Sequence, residues 1–261
     1  MSQLEQKWSL ITGASAGMGV DYAHILAAKG SHLVLTARRE QALNELASDI
    51  RGRYGVQVVV LPADLSLHQA REELYNTLKQ RGIEIEVLIN NAGFGVFGYF
   101  ADTPYERIET MLNLDIVGLT HLTKLFTDDM KARRSGYVLQ VASIGGYQPS
   151  PTYAAYAAAK AYVLLFGEAL NQELKAFGVK VTVLSPGITA TDFFEVSGQK
   201  PTLYQRLFMM PSRPVAELGV RSMLKGKASV IPGLLNNLVT LSLRLMPRAW
   251  QASTAHLLMK N

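Results

Sequence analysis

The sequence contains no cysteine, which excludes structural disulfides and thiolate metal sites; a reducing compartment, the cytoplasm, is the expected setting. No apolar run approaches the ~20 residues needed to span a bilayer, and the N-terminal MSQLEQKWSL lacks the apolar stretch of a secretion signal. The five histidines (His24, His32, His68, His121 and His256) show no zinc-binding spacing such as H-E-x-x-H, so no metal is expected. No internal repeat, low-complexity tract or linker divides the 261 residues, and one domain over 1–261 is expected. Acidic residues are scarce at one end only. Residues 204–261 hold eight Lys/Arg against one Asp/Glu, whereas residues 1–203 hold 18 against 20. An anionic partner and an ordinary solvated basic surface both fit this end. The solvated surface needs fewer assumptions, and no nucleic-acid partner is expected.

What is present is a large apolar share, 48% of residues, in a regular alternation. Short β-branched or apolar runs occur at WSLIT (8–12), HLVLT (32–36), VQVVVLP (56–62), EVLIN (86–90), YVLQVA (137–142), VKVTVLSP (179–186) and ASVIP (228–232). Stretches with helical spacing separate them; Ala23, Leu26 and Ala27 mark one apolar face, and Leu43, Leu46, Ala47 and Ile50 another. This alternation predicts an α/β fold with a doubly wound parallel sheet of about seven strands and helices on both faces. Ligands of such sheets bind beyond the carboxyl ends of the strands. TGASAGMG (12–19) follows the first strand; Gly13, Gly17 and Gly19 suit a tight turn and close approach to a phosphate. Arg38 and Arg39 follow the second strand, where an NAD-binding protein usually has a carboxylate for the ribose 2′-hydroxyl; two guanidinium groups suit a 2′-phosphate instead. Asp64-Leu65, NNAG (90–93), Ser143 and Pro186-Gly187 end the next four strands.

The stretch YAAYAAAKAY (153–162) places Tyr156 four residues before Lys160, on the same helix face. A nearby ammonium lowers a phenol's pKa, which suits Tyr156 to proton transfer. Taken alone, the pair fits an ordinary helix surface equally well. GASAG (13–17) also matches the G-x-S-x-G nucleophile elbow, with Ser15 as nucleophile, but no histidine shows the context that a hydrolase needs.

In order and spacing, TGASAGMG, Asp64, NNAG, Asn113, Ser143, Tyr156-x-x-x-Lys160 and Pro186-Gly187 closely resemble the short-chain dehydrogenase/reductase family over nearly the whole chain. Met18 stands where that family usually has isoleucine, and the arginine pair looks like its NADP-preferring members. The resemblance implies one extended Rossmann domain and nicotinamide-dependent hydride transfer, with NADP(H) as cofactor. It implies that Tyr156 exchanges a proton with the substrate oxygen, that Lys160 lowers the tyrosine pKa and binds the nicotinamide ribose, that Ser143 positions the oxygen, and that Asn113 holds a water in a relay to Lys160. It assigns cofactor contacts to Gly13, Ser15, Gly17, Met18 and Gly19; to Arg38, Arg39, Asp64 and Leu65; to Asn91, Ala92 and Gly93; to Tyr156 and Lys160; and to Pro186, Gly187, Ile188, Thr189 and Thr191. A non-catalytic NADPH-binding sensor is the alternative, although proteins of that kind commonly lose the tyrosine or lysine.

The segment 188–213 is expected to be a lid. Its Phe193, Phe194, Leu203, Tyr204, Leu207, Phe208, Met209 and Met210 favour a bulky apolar carbonyl substrate, and they fit equally well residues that merely pack the lid down. In the tail, 234–261, Leu234, Leu238, Leu241 and Leu245 form a helical stripe. Packing on the domain or on a second copy, in a homo-oligomer, is the simpler expectation; contact with a membrane surface needs more assumptions.

Overall fold

A computed structural model describes residues 3–259; the side chains of Leu203, Tyr204, Leu258 and Met259 lie outside the described set, as do Lys260 and Asn261 of the tail. Seven parallel strands lie in the order β3-β2-β1-β4-β5-β6-β7: β1 (Trp8–Thr12), β2 (His32–Thr36), β3 (Val58–Val60), β4 (Ile85–Asn90), β5 (Gly136–Val141), β6 (Val179–Leu184) and β7 (Ser229–Val230). Successive side chains of a strand point to opposite faces, so a sheet covered on both sides needs unbroken apolar runs. Leu33 and Leu35 enter one core while Val34 enters the other, and Val87 and Ile89 are likewise opposed to Leu88.

Helices α1 (Met18–Ala27) and α2 (Glu40–Tyr54) cover the first face together with α9 (Ser212–Leu224). The second face is covered by α3 (His68–Gln80), α5 (Leu119–Arg133) and α6 (Ala154–Lys175). Gly167 lets α6 lie close on the sheet, since a Cβ there would meet Val183. The strand order reverses between β1 and β4, whose carboxyl ends define the crevice where ligands of such sheets sit.

Between α4 (Tyr105–Leu112) and α5 the helix continues through a π-helical turn, Asn113–Gly118. The lid contains two short helices, α7 (Phe193–Ser197) and α8 (Leu203–Leu207). Its base is closed by backbone bonds, Ala190 N–H to the Met210 carbonyl (2.9 Å) and Met210 N–H to the Ile188 carbonyl (2.8 Å).

The tail forms α10 (Leu234–Leu243) and α11 (Arg248–Met259). Of the two expected packings, on the domain or on a second copy, the first is not found. Leu234, Leu238, Leu241 and Leu245 are all exposed, so the leucine stripe does not dock on its own domain. The inward side of α10 is formed by Thr240 and Leu243 instead. No described helix is long and apolar enough to cross a membrane.

Candidate active site

The catalytic and cofactor-binding residues expected from the sequence, Gly19 and Asn113 excepted, line one cavity of about 660 Å³ at the carboxyl ends of the strands. Its floor is the turn after β1. Gly13 and Gly17 have φ of +65° and +51°, and a Cβ on them would lie 2.9 Å from Ala92 Cα and from Thr191 Cγ2. Gly19 faces the Gly13 carbonyl and serves the packing of α1 on that turn. Asn91 fixes the turn from β4: its Nδ2 donates to the Thr12 carbonyl (3.0 Å) and the Gly13 carbonyl (3.3 Å). Beside it, Asn90 Nδ2 donates to Thr123 Oγ1 (2.9 Å) and Gln140 Oε1 (3.1 Å), bolting β4 to α5 and β5.

At the end of β2, Arg38 and Arg39 are exposed on the cavity wall. Arg39 donates to Ser15 Oγ (3.3 Å) and the Ser15 carbonyl (3.2 Å), and reaches Asp192 of the lid at 3.7 Å. Among the described residues no histidine contacts Ser15, so the elbow-like sequence has no base beside it. Asp64 Oδ1 accepts from Ser66 N–H (3.0 Å) and Ser66 Oγ–H (2.7 Å), which holds the loop carrying Leu65.

Tyr156, Lys160 and Ser143 converge over the end of β5. The Ser143 hydroxyl accepts from Gly145 N–H (3.0 Å). Lys160 is 5% exposed; its Nζ donates to the Val141 carbonyl (3.2 Å) and lies 5.6 Å from the centre of the Tyr156 ring. Its third neighbour was not foreseen. Asp115, fully buried in the π-helical turn, places Oδ2 3.0 Å from Lys160 Nζ. The Phe94 N–H donates to its other oxygen (3.1 Å). A Cβ on Gly93 would lie 2.9 Å from Asp115 Oδ2 and 3.1 Å from Lys160 Nζ, so this glycine leaves room for the ion pair. Burial pushes the Asp115 carboxyl above its usual range, opposed by Lys160 and by the Phe94 amide.

The side chain facing Lys160 from this turn is Asp115; Asn113, two positions earlier, lies outside the cavity lining. The one signal in the sequence was an isolated acid in the apolar stretch LNLDIVGL (112–119). The Tyr156 phenol moves opposite to the expected direction. Burial raises it, the Asp115 charge adds to the rise, and the Ser143 hydrogen bond only partly offsets them.

The lid closes over this group. Phe193 lies 5.3 Å from Tyr156 and 6.1 Å from Tyr153 between ring centres, and Phe194 joins it in the cavity wall. Tyr153 is buried; its hydroxyl lies 3.0 Å from both Ser197 Oγ and Gln199 Oε1, and burial lifts its pKa to about 12. Leu207 and Phe208 face solvent instead. Val239, Leu243 and Met246, in and just after α10, complete the apolar wall.

Residues 7–202 match the family model for short chain dehydrogenase. The chain belongs to this family. Among its relatives is a very-long-chain 3-oxoacyl-CoA reductase of Phaeosphaeria nodorum, 34% identical over 199 residues, 75% of this chain and 58% of that protein. The protein of the same name in Mus musculus is 31% identical over 225 residues, 84% of this chain and 68% of that one. The alignment thus spans little more than half the length of the fungal relative. Among solved structures, a 7beta-hydroxysteroid dehydrogenase matches with a TM-score of 0.87 at 28% identity, covering 97% of this chain and 98% of the other. A short-chain dehydrogenase from Sphingobium yanoikuyae in complex with NADPH matches with a TM-score of 0.82 at 29% identity, covering 92% and 94%.

Proposed function

We propose that the protein is an NADPH-dependent reductase of a bulky apolar carbonyl compound, a ketone or a 3-oxoacyl thioester, with Tyr156 as proton donor. The observation that carries the reading is the placement of Ser143, Tyr156 and Lys160 together in the wall of an apolar cavity roofed by Phe193 and Phe194. The cofactor's site is fitted by a cradle that any side chain at Gly13 or Gly17 would fill. Those glycines, Asp64, Lys160 and the backbone at 186–189 would hold it, and Arg38 and Arg39 suit a 2′-phosphate. When bound, it supplies the hydride.

The chain's own groups do the rest. Ser143 and Tyr156 direct hydroxyls at one point, where a carbonyl oxygen becomes an alkoxide, and such donors stabilise the charge as it develops. Tyr156 then gives up its phenolic proton to that oxygen. Lys160 is held against the Val141 carbonyl and Asp115, which fixes its ammonium below the tyrosine ring. The lid aromatics exclude water and select for apolar substituents. The relatives named as 3-oxoacyl-CoA reductases and a bulky-bulky ketone specific alcohol dehydrogenase support this substrate class. NADPH consumption with a panel of 3-oxoacyl thioesters, bulky ketones and sugars tests it. Turnover of the first two classes is expected; turnover confined to sugars contradicts it.

A further inference from the structure

We propose that Asp115 is a positioning residue that cancels the charge of Lys160 and so keeps Tyr156 in its proton-bearing form, biasing the site towards reduction. The proposal rests on the reading of Tyr156 as proton donor. A lysine beside a catalytic tyrosine ordinarily puts one uncompensated positive charge near the phenol, which favours the phenolate. Here the ammonium is 3.0 Å from a fully buried carboxylate. Whichever of Nζ and Oδ2 holds the shared proton, the pair has no net charge, so the tyrosine gains little from its lysine.

The surroundings add nothing to replace the missing charge. The titratable groups packed against Tyr156 are Lys160 and Tyr153 of its own helix and Asp115 of the π-helical turn. Ser143, at the end of β5, contributes a hydroxyl, and α7 contributes only the Phe193 ring. The nearest lid charge, Asp192, is paired with Arg39. Burial and the Asp115 carboxylate both raise the phenol's pKa, in agreement with the geometry. The Phe94 amide holds the carboxylate and Gly93 leaves room for the pair, so the arrangement is built in from the loop after β4 as well as from the helices.

The signs follow. Reduction needs the phenol, so its rate is full below the tyrosine's pKa and falls as pH rises through it. Oxidation of the alcohol needs the phenolate, so its rate rises through the same pKa. Asp115→Asn keeps the shape, removes the negative charge and leaves Lys160 uncompensated. It is expected to move both limbs to lower pH together, by about one to two units for a charge at this distance in a semi-polar site. Asp115→Glu keeps the charge and is expected to return the limbs to within a few tenths of a unit of the parent. A role confined to holding Lys160 in place would change kcat or KM without moving the two limbs in step.

The test is a pH profile of kcat/KM in both directions for the parent and the two variants, with circular dichroism as a check on folding. The parent alone gives a second reading: its reductive plateau should extend past about pH 9.5, near the ordinary tyrosine range or above it. A parent limb below about pH 8.5, or limbs unmoved in a folded Asp115→Asn, overturns the proposal. Full activity in Tyr156→Phe overturns the reading beneath it instead. An inactive Tyr156→Phe alongside unmoved Asp115→Asn limbs isolates the failure to Asp115.

Discussion

Arg39 already spends its guanidinium on Ser15 and on Asp192 across the cleft mouth, whereas Arg38 has no hydrogen bond or ion pair among the described residues. Arg39 and Asp192 are both exposed, so their ion pair adds little to stability. On the proposed NADPH reading the two arginines would meet a dianionic phosphate with charge-assisted bonds, each worth ~1.5–3 kcal/mol. The double variant Arg38→Ala/Arg39→Ala should therefore bind NADPH roughly 10- to 150-fold more weakly and NADH nearly as before, as read by titration. Equal affinity of the parent for both cofactors contradicts this. That the arginines would line the cavity was legible, because residues after a strand's carboxyl end face the crevice of such a sheet. Asp115 was not, because its role depends on a π-helical turn, and a residue's direction there follows neither the 3.6-residue nor the two-residue period. The resemblance drew attention to Asn113 in the same turn, and the fold points Asp115 at Lys160.

At the scale of single elements, the lid was legible as an apolar stretch but not in its division of labour. Phe193 and Phe194 face the cavity while Leu207 and Phe208 face water, and composition cannot separate the two sets. Tyr153 anchors the lid through Ser197 and Gln199. Removing its hydroxyl leaves two buried polar groups short of a partner, at ~1–3 kcal/mol for such a loss. Tyr153→Phe should raise KM for a bulky substrate about 5- to 100-fold and leave kcat within a few-fold, because the lid is loosened and the proton donor untouched. Loss of kcat with KM unchanged would place Tyr153 in the chemistry instead. The strands were more legible: WSLIT and HLVLT match β1 and β2 residue for residue, because a strand covered on both faces needs an unbroken apolar run. The third and seventh shrink to Val58–Val60 and Ser229–Val230, since edge strands end where pairing ends.

Over the whole molecule, alternation and crossover handedness were enough to give the seven-stranded parallel sheet and to put the site at its carboxyl edge. The tail was harder to read. A leucine stripe predicts burial, yet α10 exposes its leucines and lines the cavity with Val239 and Leu243. Gln251 Nε2 ties α11 back to α10 by donating to the Leu243 and Met246 carbonyls, each at 2.8 Å. A 1–233 truncation should accordingly keep the sheet and cofactor binding while losing one wall of the cavity. Turnover of bulky apolar substrates should fall at least tenfold, and that of small ketones much less. An equal fall for both would show that the tail supports the fold and not the pocket.

The central claim is that Tyr156 delivers the proton during NADPH-dependent reduction of an apolar carbonyl. Its most direct measurement is single-turnover NADPH oxidation by the parent and by Tyr156→Phe with the best substrate of the panel, alongside NADPH titration of both. The account predicts a rate at least ~10²-fold lower in the variant, with NADPH affinity within a few-fold of the parent. Oxidation at an unchanged rate in Tyr156→Phe would contradict it.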